Sequence, residues 1–353
     1  MSTSKAGDSI ITDPANIKYK ISDFTYKYLM GKIKLYNGDT LRTFSKKYGA
    51  WWATVFELMR RLKTPILGKK IKSSPATDIY LAGGSIGKKI ADLRNVRSDT
   101  PAFVAKVYKK GGSMERKIYE LLMSNIILCY KSPGIVIPIN NKNITPNTTL
   151  LLEKMDCSLY EYIINDKARH KNQLVGIILQ VICTIAVIQS VWPTFRHNDL
   201  KIDNILLLTG PHPPFTIGIR GKQYRIPSCV PIAKIADFDL STIPGTITNK
   251  RLESGTSDFG CSNEISKIYD THLFLNSLHY YGTKHTEFPK NVTLFIESVI
   301  GTSIRGHENE KLKYFRLRNP QIKIKKLEPL NILKSKIFDR LAIQKKMAPY
   351  WGV

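Results

Sequence analysis

Apolar residues change their spacing along the chain. From Asp78 onward they form short runs broken by glycine, and beyond Ser158 they follow the longer spacing of helices. Phe103 to Tyr108 and Thr148 to Leu152 each predict a strand, whereas Met114 to Tyr130 predicts a helix. Strands that precede helices in this way predict an α+β protein with a small sheet-containing part and a larger helical part.

The region before Asp78 has a different pattern. Trp51 to Leu62 places apolar residues near helical spacing and ends in basic residues, which a helix C-terminus favours. Lys69 to Pro75 is typical of a linker. We therefore separate residues 1–76 as a basic, partly helical N-terminal extension.

The most apolar stretch of the chain runs from Leu174 to Trp192. Gln180 and Gln189 interrupt it, and its composition favours a buried core helix over a membrane span. We therefore expect no transmembrane segment. Ile205 to Leu208 predicts a short strand, and a loop rich in proline and glycine follows near residues 209–231.

Net charge narrows the classes of partner. The chain has 54 Lys and Arg against 28 Asp and Glu, which gives a formal charge of +26. This excess favours acidic partners, and the basic region from residue 305 is the candidate for contact with nucleic acid or another polyanion. The five cysteines are far apart and lack zinc-ligand spacing, so we expect reduced thiols and a cytoplasmic location.

Two strings carry candidate chemistry. R-H-N-D-L-K-I-D-N occupies residues 196–204, and A-D-F-D occupies residues 236–239. Phosphoryl transfer to a hydroxyl needs a positioned nucleotide, a metal ion and a carboxylate that orients the hydroxyl. Asp199 is the candidate carboxylate, and Lys201 would offset charge that develops in the transition state. The candidate metal ligands are Asn204 and Asp237.

These strings resemble the catalytic loop and the metal-binding triplet of the eukaryotic protein-kinase superfamily. The resemblance implies a bilobal protein-kinase-like fold, with a small β-rich N-lobe at residues 77–153. A larger helical C-lobe would follow at residues 154–346, with an insertion near residues 209–231. The resemblance also implies ATP with Mg²⁺ or Mn²⁺ as cofactors and protein substrates. The D-L-K form of the loop is similar to that of Ser/Thr kinases.

Further catalytic residues follow from this resemblance. Val104-Ala105-Lys106 looks like the strand that carries a phosphate-pairing lysine, with Glu115 as its helix partner and Glu120 as the second choice. Gly255-Thr256 resembles a substrate-loop threonine, and Asp270 resembles the buried aspartate that supports the catalytic loop. The implied catalytic residues are Asp199, Lys201, Lys106, Glu115 and Thr256.

The nucleotide site is implied in the same way. The A-G-G-S-I-G turn at residues 82–87 resembles a phosphate-covering loop, in which glycines let backbone N–H groups approach the nucleotide. Leu152 resembles the gatekeeper before the hinge, and adenine would bond the carbonyl of Glu153 and the N–H of Met155. The implied nucleotide contacts are Ala82, Gly84, Ser85, Gly87, Lys106, Leu152, Glu153 and Met155.

The sequence departs from the family pattern at three points. Asn198 stands where many members have an arginine that receives an activation-loop phosphate, so we do not expect activity to depend on that phosphate. Five hydroxyls nevertheless remain possible phosphorylation sites, namely Ser241, Thr242, Thr246, Thr248 and Ser254. Asp239 replaces a glycine and predicts an extra carboxylate near the metal. No A-P-E motif follows, so substrate docking there is expected to be atypical.

Within the superfamily, the hinge sequence, the E-R-K-I-Y run and the G-T element most resemble the casein-kinase branch and the Ser/Thr kinases of large DNA viruses. This resemblance implies a viral protein of the virion or host cytoplasm. Two other functions stay open. H-N-D-L followed by N-I-L-L also resembles choline and aminoglycoside kinases, although Lys201 and Gly255-Thr256 fit protein kinases better. The other is a kinase-fold scaffold without catalysis that binds acidic partners.

Overall fold

The computed structural model describes the chain in segments, which are residues 66–83, 103–109, 114–126, 134–136, 138, 149–165, 173–210, 212, 214–252, 261–284, 288–301, 317 and 324–343. The helix predicted from Trp51 to Leu62 lies outside these residues. So do residues 305–316 and 318–323 of the basic C-terminal region. The predictions made for these two regions stay predictions.

An antiparallel sheet and one helix form the small lobe. The sheet has the order β1-β2-β3-β4, and the helix α1 follows β3 in the chain. The elements are β1 (Ile66–Ser73), β2 (Thr77–Gly83), β3 (Phe103–Tyr108), α1 (Met114–Ile126) and β4 (Thr149–Glu153). Every residue of β4 is buried, which fits its central run of three leucines, and Thr149 and Glu153 lie at its two ends.

The first strand corrects the predicted linker. Lys69 to Pro75 was expected to connect two parts of the chain, but Ile66–Ser73 pairs along β2 from Gly83 to Asp78. The predicted boundary after residue 76 separates these two paired strands, so the sheet of the small lobe begins before that boundary. Lysines on an exposed edge strand resemble a linker in sequence, and they also protect such an edge from pairing with other chains.

The large lobe is mainly helical and contains the main core. Its helices are α2 (Leu159–Asn165), α3 (Leu174–Val191), α4 (Tyr269–Thr283), α5 (Lys290–Ile300) and α6 (Pro329–Ile332). A three-stranded sheet lies beside them in the order β5-β6-β9, formed by β5 (Cys157–Ser158), β6 (Ile205–Leu208) and β9 (Ile232–Ile235). The sheet of the small lobe precedes the helices of the large lobe in the chain, as the sequence predicted, and the fold is α+β.

Helix α3 is the centre of the large lobe. Among the described residues it is the one helix long and apolar enough to cross a membrane by length and composition, but 78% of it is buried within the fold. Gln180 is also satisfied inside the core, since its side chain bonds the Pro231 carbonyl at 2.9 Å and the Ala233 N–H at 2.9 Å. The position of α3 confirms the predicted core helix.

The loop expected near residues 209–231 contains a β-hairpin. Strands β7 (Phe215–Ile219) and β8 (Lys222–Ile226) pair with each other, joined by Arg220 and Gly221. Both turn residues have positive φ, 48° and 76°, as a tight two-residue hairpin turn requires. Buried Tyr224 donates its hydroxyl to the Leu333 carbonyl at 2.8 Å, which fastens the hairpin to the end of the large lobe.

A close backbone approach holds the strand that leads to the second chemical string. Gly134 accepts a hydrogen bond from the Ile235 N–H at 2.8 Å, and an added Cβ at Gly134 would lie 1.7 Å from Thr184 Oγ1 on α3. A side chain at Gly134 therefore has no room unless the segment moves away from α3 or from β9.

We predict that Gly134→Ala destabilises the protein by roughly 1–3 kcal/mol, the usual cost of overpacking a core. Gly68→Ala is the matched control, because its Cβ would meet the Leu81 carbonyl at 3.2 Å on an exposed strand and needs only a small shift. Urea unfolding of both variants measures the difference. A Gly134→Ala protein as stable as the control would contradict the packing described here.

Candidate active site

Lys106 connects three elements at the junction of the two lobes. It lies on β3 with 8% of its surface exposed, and its Nζ is 2.6 Å from Glu115 Oε2 and 2.8 Å from Asp237 Oδ1. Burial alone would lower the pKa of Lys106, but the carboxylates of Glu115 and Asp237 raise it above its usual value. Lys106 is therefore a charged ammonium that binds both carboxylates.

Glu115 is the helix residue that the structure brings to Lys106. It lies in the first turn of α1, where the helix dipole favours an acid, and none of its surface is exposed. Burial raises its pKa, opposed by the ammonium of Lys106. Its carboxylate also accepts the Tyr108 hydroxyl and, at 3.2 Å, the Phe238 N–H.

Sequence reasoning missed Tyr108. The signal was present, because residues two apart in a strand lie on the same face, and Tyr108 is two residues after Lys106 on β3. Its hydroxyl reaches the same oxygen of Glu115 that Lys106 binds. Tyr108 therefore helps to orient the carboxylate.

A buried carboxylate supports the loop at residues 196–204. Asp270, on α4, accepts the backbone N–H groups of His197 at 2.7 Å and Asn198 at 3.0 Å. These bonds hold Asn198 in a left-handed conformation with φ of 65°. The arrangement is the one that the resemblance implied for Asp270.

His197 connects this loop to the segment that carries Asp237. Its Nδ1 accepts the Asp199 N–H at 3.3 Å, so Nε2 carries the proton and donates to the Ala236 carbonyl at 3.0 Å. Burial lowers the pKa of His197, which keeps the ring neutral. The ring also lies 4.8 Å from that of Phe238, which is itself 4.8 Å from Tyr119 on α1.

The candidate carboxylate, cation and amide form one cluster. A short 3₁₀ turn at Ile202–Asn204 brings Asn204 Nδ2 to 3.0 Å from Asp199 Oδ2 and to 2.7 Å from the Asp199 carbonyl. Lys201 Nζ lies 3.3 Å from Asp199 Oδ2. Because the amide nitrogen of Asn204 donates both bonds, its oxygen is the atom left to serve as a metal ligand.

The two candidate metal ligands lie next to each other in the fold. The Ala236 N–H donates to the Asn204 carbonyl at 2.9 Å, which places Asp237 beside Asn204. Asp237 has φ of 63°, and its side chain is 45% exposed. Burial would raise the pKa of Asp237, but Lys106 lowers it below the usual value, so Asp237 is ionised. A carboxylate and an amide oxygen are ligands that suit Mg²⁺.

The predicted hinge lies between β4 and β5. Leu152 and Met155 are each 8% exposed, and Asp156 donates its N–H to the Leu207 carbonyl at 2.9 Å. The side chain of Glu153 binds Lys234 on β9 at 2.5 Å. The hinge backbone is thus anchored to the large lobe on both sides of Met155.

Some predicted residues fall outside the described part of the chain. Ala82 belongs to β2 and pairs with Leu67 and Phe103. Three other nucleotide contacts predicted in this turn lie outside the described residues, namely Gly84, Ser85 and Gly87. The predicted substrate-loop threonine, Thr256, lies outside them as well. Their roles stay predictions.

The structure corrects two expectations about the segment after Phe238. Asp239 was expected near the metal, but its carboxylate binds the guanidinium of Arg251. Ser241 and Thr242 have no exposed surface, and their hydroxyls donate to the carbonyls of His197 at 3.2 Å and Ile247 at 2.8 Å. These two hydroxyls are therefore not accessible to a modifying enzyme in this conformation.

Two side chains of the loop at residues 196–204 clamp the segment from Leu240 to Glu264. Buried Arg196 donates from Nη1 to Ser262 Oγ at 2.8 Å and to the Glu264 carbonyl at 2.9 Å. Its guanidinium also lies 4.0 Å from the ring of Tyr269. Asn198 Nδ2 donates to the carbonyls of Leu240 at 3.1 Å and Ser262 at 3.2 Å. The clamp uses no phosphate.

Comparisons with known proteins show that the chain is similar to viral protein kinases. A family model described as poxvirus serine/threonine protein kinase matches residues 153–340. A provisionally named serine/threonine-protein kinase of Acanthamoeba polyphaga mimivirus is 33% identical over 109 residues. That similarity covers 29% of this chain and 23% of the mimiviral protein, so the chain spans less than a quarter of this curated relative.

Solved structures are also similar to the chain, among them a crystal structure of the BubR1 kinase domain. It is 14% identical, with a TM-score of 0.34, over 53% of this chain and 49% of that chain. At that score it adds nothing to the fold assignment. The assignment depends instead on the two lobes described above and on the family match.

We predict that Asn198→Ala destabilises the protein by roughly 2–4 kcal/mol. About 1 kcal/mol is expected for each lost hydrogen bond, and about 1–2 kcal/mol for alanine in a left-handed conformation. Asn198→Gly is the matched control, because glycine adopts this conformation freely and loses only the hydrogen bonds. Urea unfolding measures both. An alanine variant as stable as the wild type would refute the clamp.

Proposed function

The chain belongs to the poxvirus serine/threonine protein kinase family, and from this premise we propose that it transfers the γ-phosphate of ATP to serine or threonine hydroxyls of proteins. One observation carries the proposal. Lys106 contacts Glu115 and Asp237 together at the junction of the lobes, while the cluster of Asp199, Lys201 and Asn204 lies in the adjoining loop. This is the arrangement that phosphoryl transfer needs.

Nucleotide binding would use both ends of the cleft. The hinge backbone at Glu153 and Met155 would take the adenine edge beside Leu152, as the family resemblance implies. Lys106, held charged by its two carboxylates, would bind phosphate oxygens. Asp237 and Asn204 would hold Mg²⁺ or Mn²⁺, which when bound neutralises charge on the β- and γ-phosphates.

The chemical step would depend on the loop at residues 196–204. Asp199 would accept the hydrogen bond of the attacking hydroxyl and orient it towards the phosphorus. Asn204 and Lys201 both contact Asp199 Oδ2, so they hold this carboxylate in place. The ammonium of Lys201 would also offset charge on the transferred group.

Regulation by phosphorylation of the segment after Phe238 is not needed in this proposal. Arg196 and Asn198 hold that segment through carbonyls and a hydroxyl. Of its candidate hydroxyls, Ser241 and Thr242 are buried, whereas Thr246 and Thr248 are exposed. Activity that does not wait for an activating phosphate is the expected consequence. The cellular location and any polyanion contact of the basic C-terminal region stay predictions.

We predict that Asp199→Ala lowers kcat at least about 100-fold and leaves the fold intact, because Asp199 acts in chemistry and not in packing. Asp339→Ala, an exposed acid near the chain end, is the matched control and keeps wild-type activity. Transfer of radiolabelled phosphate from ATP with MgCl₂ to casein, to a basic protein and to choline measures activity. Phosphoamino-acid analysis identifies the acceptor hydroxyl.

The outcomes separate the open functions. Label on serine or threonine that is lost in Asp199→Ala supports the proposal. Label on choline alone would replace it with a small-molecule kinase. Absence of transfer by the wild type, with nucleotide binding retained or lost, would favour a kinase-fold scaffold.

A further inference from the structure

A second ion pair crosses from the small lobe to the large lobe. Lys234 lies on β9 with none of its side chain exposed, and its Nζ is 2.5 Å from Oε1 of Glu153, whose side chain is 2% exposed. The two residues are 81 positions apart in sequence. Lysine is among the residues least often fully buried, so its presence within the otherwise apolar strand Ile232–Ile235 needs a physical reason.

Stability alone does not supply that reason. Removing one partner of a buried ion pair is strongly destabilising, because it leaves the other charge buried and uncompensated. Replacing both partners by apolar residues of similar volume, however, is often neutral or stabilising. An apolar pair would therefore serve the core as well as Lys234 and Glu153 do.

The positions of the two residues indicate which structural role an apolar pair would not fill. Glu153 is the last residue of β4 and the first of the hinge, and Lys234 lies three positions before Asp237. Lys234 also pairs with Leu206 on β6, two residues after Asn204. The ion pair thus joins the backbone proposed for adenine to the segment that carries both candidate metal ligands.

The geometry of a charged pair differs from that of an apolar contact. A hydrogen-bonded ammonium and carboxylate have a preferred distance and direction, whereas apolar side chains tolerate sliding. Lys106 with Glu115 and Asp237 ties the lobes at the phosphate end of the cleft. Lys234 with Glu153 ties them at the adenine end, so that the hinge has a defined position relative to Asp237.

We propose that Lys234 and the Glu153 side chain are positioning residues for the nucleotide, which act by fixing the hinge backbone relative to Asp237. The inference rests on the proposed function and deepens it. Their side chains bind each other and not the nucleotide. The expected signature is a loss of nucleotide affinity that is separate from any loss of stability or of the chemical step.

The test compares single replacements with an apolar pair. Lys234→Met and Glu153→Gln each remove one charge, and the double variant Lys234→Met with Glu153→Leu removes both. Lys234→Arg keeps the cation and is the conservative rescue. Glu297→Gln is the matched control, since it removes the acid of the His279–Glu297 contact, 3.2 Å long, between α4 and α5 and away from the hinge.

Thermal unfolding, calorimetric binding of a non-hydrolysable ATP analogue with MgCl₂, and steady-state kinetics are measured for each protein. The double variant should regain near wild-type stability but bind the analogue roughly tenfold more weakly, the scale on which loss of an outer supporting partner weakens a site. KM for ATP should rise by the same factor, with kcat changed less than about twofold. Lys234→Arg should lie closer to the wild type.

Each contrary outcome has a definite meaning. A folded double variant with wild-type affinity for the analogue would make the pair purely structural and overturn the inference, while the proposed function stands. If the double variant does not fold, a folded Glu153→Gln with wild-type affinity overturns it instead. A wild-type chain that binds no nucleotide would overturn both this inference and the proposed function.

Discussion

The buried ammonium of Lys106 is the interaction on which the site depends. A lone charge at that depth would be costly, so β3, α1 and the segment at Asp237 must meet for the lysine to be paired. The first turn of α1 supplies Glu115, and the left-handed backbone at Asp237 turns its carboxylate towards the same nitrogen. Pairing of one cation therefore sets how the two lobes meet.

Buried polar groups support the loop at residues 196–204. Asp270 accepts hydrogen bonds from two adjacent backbone N–H groups. Neutral His197 donates a hydrogen bond to the carbonyl of Ala236, the residue before Asp237. Arg196 and Asn198 then bond both ends of the segment between Leu240 and Glu264. The segment after Phe238 is thus held by hydrogen bonds from the Asn198 amide and the Arg196 guanidinium.

The two lobes are tied at both ends of the cleft. One tie is the Lys106 cluster, and the other is the ion pair between Lys234 and Glu153. A nucleotide bound between them would contact backbone at one end and charged side chains at the other. The inserted hairpin packs on the large lobe through Tyr224, whose hydroxyl donates to the Leu333 carbonyl.

The sequence by itself determined the elements and chemistry that depend on local pattern. The strand that carries Lys106, the buried helix α3 and the strings at Asp199 and Asp237 are all encoded by periodicity or by residues close in sequence. Only the tertiary structure decided that Tyr108 donates a hydrogen bond to Glu115 and that Asp239 binds Arg251. It also decided that residues before Asp78 form an edge strand and that Lys234 forms an ion pair with Glu153. The reason is physical. A side chain's partner depends on which segments pack together, and residues 81 apart leave no periodic trace of a contact between them.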